Sequence, residues 1–175
     1  MRRVVLIPSL FWLAVSGCVA THQTRRVAAE ARAPVKLESG AGVAVLVPPN
    51  GRHREKVYGG SGQATAQAIV AAFARHAERV DAIRARDCKD AQQRATKQGY
   101  EYLICPTILH WEDRATEWSG KRDKIEVRLA LRDATTNSMV DTVVVAGQSK
   151  LASFGGDHPQ ELLAKPFDRY ADSLY

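Results

Sequence analysis

The 175-residue chain has no run of about 20 apolar residues, the length needed to cross a bilayer as a helix, so a polytopic helical membrane protein is excluded. It also lacks catalytic signatures. No phosphate-binding loop ends in Lys-Ser or Lys-Thr, no dinucleotide fingerprint directly follows a strand, and no Cys/His spacing matches a familiar metal site. Cysteine is scarce, with three residues, an odd number that calls for an explanation. The 45% hydrophobic and 25% charged residues are close to globular averages, which excludes wholesale disorder and collagen, and the length suits one domain around one core. Lys+Arg exceed Asp+Glu by 25 to 19, with a pI of about 9.4. No aromatic-basic reading motif accompanies that surplus, so no nucleic-acid partner is expected.

The amino-terminal residues address location. Met1-Arg2-Arg3, a mostly apolar stretch over residues 4–16 interrupted by Pro8, and then Gly17 and Cys18 read as a charged and then an apolar segment of a secretory signal. Val15-Ser16-Gly17-Cys18 resembles the lipobox of bacterial lipoproteins, with Val15 where Leu is commonest. The resemblance implies cleavage before Cys18, a thioether-linked diacylglycerol on its sulfur and a further fatty acid such as palmitate on its amino group. The alternative is ordinary secretion with Cys18 incidental. Each buried methylene contributes about 0.8 kcal/mol, so several acyl chains hold a protein at a membrane permanently. Val19 is not the Asp that retains lipoproteins in the inner membrane, and the expected site is the periplasmic face of the outer membrane. No cofactor is expected beyond this covalent lipid.

The domain plan that follows is a signal peptide over 1–17, a lipidated tether over 18–40 and a single periplasmic α/β domain over 41–175. The tether reading rests on a polar, basic stretch containing Arg25, Arg26, Arg32 and Lys36 without hydrophobic periodicity. As a coil of about 20 residues it would span roughly 25 Å.

Within the domain, Val43-Ala44-Val45-Leu46-Val47 reads as a strand covered on both faces. Apolar residues at three- and four-residue steps from Ala66 to Val80 predict a helix over 63–79, with His76 on its core stripe. A short strand over 80–83 and a helix over 88–98 closed by Gly99 come next. Tyr102-Leu103-Ile104-Cys105 marks a central strand over 100–109, where Pro106 implies a bulge or an unpaired side. Ile125, Val127, Leu129 and Leu131 alternate with polar residues, which predicts an antiparallel strand, and residues 139–146 complete a hairpin through the turn over 133–138. Phe167, Tyr170, Ala171 and Leu174 predict a last helix with Pro166 in its first turn. The order β-α-β-α-β-β-β-α gives an α/β (α+β) fold with a mixed sheet of about five strands and helices mainly on one face.

That element order resembles the α/β domain of the amino-terminal part of TolB, also found in the curli-secretion lipoprotein and in lipoproteins that activate penicillin-binding proteins. A likeness of order carries no function. Three segments, Lys56-Val57-Tyr58-Gly59-Gly60-Ser61-Gly62-Gln63, Tyr102-Leu103-Ile104-Cys105-Pro106-Thr107-Ile108-Leu109-His110-Trp111-Glu112-Asp113-Arg114 and Tyr170-Ala171-Asp172-Ser173-Leu174-Tyr175, resemble a family of small proteobacterial envelope lipoproteins whose domain has no assigned function. This resemblance implies no catalytic residue and no metal.

Candidate sites remain. Gly59-Gly60-Ser61-Gly62 is either an anion cradle or, more simply, a flexible helix start capped by Ser61. Cys88 and Cys105 either close a disulfide, worth around 3 kcal/mol by chain entropy, or stay as buried thiols. A metal site built from Cys105 and His110 would want a third ligand. His110, Trp111, Glu112, Arg114 and Trp118 form the most functional-looking stretch, continuing through Glu117, Lys121 and Arg122. It is either a surface for an envelope protein or cell-wall partner, since Trp and Arg are common anchors, or a structural hairpin with Trp111 packed. Glu112 and Asp113 are adjacent and point to opposite sides of an extended chain, which argues against a catalytic carboxylate pair. The function expected is therefore binding of another envelope component, with a structural subunit of an envelope complex and then a cell-wall hydrolase as alternatives.

Overall fold

The computed structural model describes residues 21–26, 35–113, 123–149 and 161–175. The signal, Cys18, Arg114, Glu117, Trp118, Lys121 and Arg122 lie outside the described residues.

The core of the fold is a mixed six-stranded sheet. Strand β2 (Val43–Leu46) runs parallel to both β5 (Val80–Ile83) and β6 (Tyr102–Glu112), and β6, β7 (Lys124–Asp133) and β8 (Met139–Gln148) form an antiparallel meander. β1 (Thr21–Arg26) closes the far edge, giving the order β1-β8-β7-β6-β2-β5. A small separate hairpin pairs β3 (Arg52–His53) with β4 (Lys56–Val57).

The consecutive apolar residues of β2 are all buried because both faces are covered. Val43 and Val45 face helix α1 (Ser61–Phe73) and helix α3 (Glu161–Leu174), with Ile69, Phe73, Phe167, Leu129 and Val145 in the same cluster. Ala44 and Leu46 face helix α2 (Cys88–Lys97) with Ala91, Ala95 and Leu103. Two helices thus lie on one face and one on the other. The α2 ends follow the sequence: Asp87 accepts the Asp90 N–H as amino-terminal cap, and Gly99 takes the left-handed conformation after the last turn. Pro106 lies where β2 no longer pairs with β6, so its missing N–H costs no ladder bond there.

Four expectations need correction. α1 stops at Phe73 rather than at residue 79, because the chain turns toward β5 and the Glu78 N–H donates to the Gly40 carbonyl. His76 consequently leaves the core stripe; it stacks on Tyr175 and sits 2.9 Å from Asp172. Ser61 is not the cap of α1. Gly60 holds that position at φ 81°, while Ser61 Oγ accepts the Gly51 N–H and donates to the Tyr58 carbonyl. Pro166 lies inside α3 and not in its first turn.

The fourth correction concerns the stretch read as tether, part of which is built into the domain. Thr21–Arg26 pairs with β8, and an edge strand with one solvated side needs no hydrophobic alternation, so its polar sequence concealed it. Arg26 sits 3.3 Å from Asp141, which also accepts from the Tyr170 hydroxyl, and buried Leu37 donates its N–H to the Leu174 carbonyl.

Pro166 lacks the N–H that would donate to the Leu162 carbonyl one turn earlier. Burial, with Arg169 and Lys165 nearby, holds the His22 pKa below its ordinary 6.5. The folded state therefore binds a proton less readily than the unfolded state. The stability this histidine contributes is present above pH 6.5 and is lost as pH falls below it. Amide exchange over residues 21–26, corrected for its intrinsic rate, is expected to accelerate between pH 7.5 and pH 5 while β2 stays protected; unchanged protection of β1 would contradict this.

Candidate functional site

The site forms where β6 runs past β2 and the β3–β4 hairpin lies against it. Before this point, even-numbered residues of β6 face α1 and α3. Between Ile108 and His110 the register with β7 shifts by a β-bulge that makes Leu109 the extra residue. The alternation then inverts. Trp111 enters the core at 3% exposure, Leu109 is exposed, and His110 and Glu112 share the opposite face as i, i+2 neighbours on a strand.

The hairpin supplies the third member. Gly51, just before β3, packs so closely on β6 that an added Cβ would lie 2.6 Å from Trp111 Cβ and 2.8 Å from Ile108 Cγ2. That contact seats β3 beside β6. His53 Nε2 then lies 3.2 Å from Glu112 Oε1, and His110 Nε2 lies 3.3 Å from Glu112 Oε2. The two imidazoles meet edge to face with centroids 4.9 Å apart. The Glu112 side chain is only 8% exposed, so its carboxylate is withdrawn from water and held between the two rings.

Next to this cluster the sheet carries polar rows on the face that α1 and α3 do not cover. Gln23, Ala146, Glu126 and His110 stand in one cross-strand row, and Thr21, Gln148, Lys124 and Glu112 in the next. All of these except Glu112 line a cleft of about 350 Å³ whose rim includes His110, Lys124 and Glu126.

Of the five residues proposed for partner binding, Trp111 is buried in the core and cannot grip a surface, and Glu112 is buried against two histidines. His110 remains partly exposed on the cleft. Arg114 and Trp118 lie outside the described residues. Sequence reasoning missed His53 because it falls in a connection without periodicity. The His-x-Glu spacing at residues 110 and 112 on a strand was the readable half of the signal.

Cys88 and Cys105 are joined by a disulfide with Cα atoms 5.8 Å apart, which ties the start of α2 to β6. A metal site using Cys105 is thereby removed. The glycine-rich start of α1 is occupied by the protein itself, as the Gly62 N–H donates to Asn50 Oδ1.

Residues 35–174 fit the pattern of the family described as "Domain of unknown function (DUF4823)". The chain belongs to that family. The match runs from just before buried Leu37 to the end of α3, so it takes in His53, His110, Glu112 and both bonded cysteines. No curated protein matches the chain in sequence. Among solved structures, the PelC dodecamer from Paraburkholderia phytofirmans is similar at 15% identity and TM-score 0.64, covering 89% of this chain and 97% of that one. Lipoprotein GNA1162 from Neisseria meningitidis is similar at 8% identity and TM-score 0.46, covering 75% of this chain and 99% of that one. The first likeness establishes a shared fold for this member of DUF4823. Among the described residues no helix is long and apolar enough to cross a membrane.

Proposed function

We propose that this DUF4823 protein is a lipoprotein held at the periplasmic face of the outer membrane through Cys18, and that its domain binds another envelope component rather than catalysing a reaction. The observation that carries the binding role is the half-covered sheet. Among the described residues, α1 and α3 bury one face, α2 covers the other over β2, the start of β6 and the adjoining end of β7, and no helix packs on the polar rows of β1, β8 and β7. The disulfide supports an oxidising compartment such as the periplasm. The TolB-like and curli-like element order supports the fold analogy alone.

Photo-crosslinking in intact cells from positions 118 and 126, the first in the sequence between β6 and β7 and the second in a polar row of the sheet, tests this reading. A discrete adduct with an envelope protein or with cell-wall material, from either position, is expected at physiological expression. Absence of adducts from both positions would overturn it.

A second reading, a structural subunit of a homomeric envelope complex, is supported by the PelC dodecamer, which shares the fold over nearly its whole length. The mass of the detergent-extracted protein separates the two: a multiple of the chain mass favours self-assembly, and a monomer excludes it.

A further inference from the structure

We propose that His53, His110 and Glu112 form a binding site for a divalent zinc-class metal ion, with a water or a partner's donor completing the coordination. Two neutral imidazoles and one carboxylate are a donor set that suits zinc, and open sites of this ion commonly use three protein ligands. The geometry is close to what a metal requires. With metal–ligand bonds of about 2.0–2.1 Å, the edge of a tetrahedron between two donor atoms is about 3.3–3.4 Å. His53 Nε2 lies 3.2 Å from Glu112 Oε1 and His110 Nε2 lies 3.3 Å from Glu112 Oε2, so each histidine is one such edge from its own carboxylate oxygen, and one donor atom from each of the three residues lies within 4.8 Å of the others. Closure around an ion needs the donor atoms to draw together by up to about 1.5 Å, a movement within reach of side-chain rotation.

The ligands are also positioned by the backbone. The bulge at Leu109 aims His110 and Glu112 to one side, and the close packing of Gly51 on Trp111 and Ile108 fixes the strand that carries His53. A buried carboxylate lies between the two imidazoles, and His110 extends the cluster to the rim of the polar cleft. Binding displaces any proton on the ligating nitrogens, so the neutral form of each histidine is the one that binds. With Cys88 and Cys105 bonded to each other, neither sulfur competes as a ligand.

The test is calorimetric titration of the detergent-solubilised full chain with zinc ions. One equivalent is expected to bind to the native protein, and His53→Gln combined with His110→Gln is expected to weaken binding by more than the roughly 10–100-fold that losing an outer-shell partner costs. Cobalt(II) loading of the native protein provides a readout that needs no variant: visible absorption of a four- or five-coordinate site is expected, and zinc should bleach it. Failure of the native protein to bind zinc, an absence of cobalt bands, or undiminished affinity in a folded double variant would each overturn the proposal. The cluster would then be a hydrogen-bonded clasp that fixes the β3–β4 hairpin.

Discussion

Phe73→Ala is expected to lower the unfolding free energy by about 3–5 kcal/mol, as measured by denaturant unfolding. Phe73 is the last residue of α1, fully buried, and its ring meets Tyr170 of α3 edge to face at 6.2 Å. It is therefore where α1, α3 and the sheet converge. Truncation removes the transfer free energy of the ring and leaves a cavity that two helices and a sheet cannot easily collapse. The Tyr170 hydroxyl is committed to Asp141 on β8, which restrains the neighbouring ring from moving into the space. A loss below about 1 kcal/mol would mean that α1 and α3 do not pack as described.

Cys88→Ser combined with Cys105→Ser is expected to cost about 3 kcal/mol. The two residues are 17 apart in sequence, and the chain-entropy model assigns about that much to a closed loop of this length, within the 2–5 kcal/mol typical for removing a native bridge. Reductant gives the matching control. It should destabilise the native protein by a similar amount and leave the double variant unaffected. Indifference of the native protein to reductant would show that the cysteines are free thiols in solution.

The parts of the fold that were legible in the sequence are those in which burial leaves a period. Val43-Ala44-Val45-Leu46 read as a strand covered twice, and the alternation from Ile125 to Leu131 gave both a strand and its wet face. The carboxy-terminal end of α2 was equally readable, since Gly99 acts through local chemistry. β1 was hidden because an edge strand can be polar on most of its positions, and its pairing with β8 is a long-range choice. The helical turn before Pro166 was hidden because a proline lacks the N–H that a helix interior uses, so it reads as a helix start.

The candidate site was half legible. His110 and Glu112 were singled out for their chemistry, but a single-residue bulge inverts which side chains of β6 face the core. That inversion buries Trp111, which the residue types alone suggested as an anchor, and brings His110 and Glu112 to His53. No periodicity marks a bulge of one residue, and the hairpin bearing His53 is placed by the packing of Gly51.

The central claim is that Cys18 carries lipid and holds the domain at the outer membrane. Metabolic labelling with an alkyne-bearing palmitate analogue, followed by membrane fractionation of cells expressing the full chain, tests it most directly. The native chain should be labelled and sediment with the outer membrane, and Cys18→Ala should lose the label. A native chain recovered unlabelled in the soluble periplasmic fraction would contradict the claim.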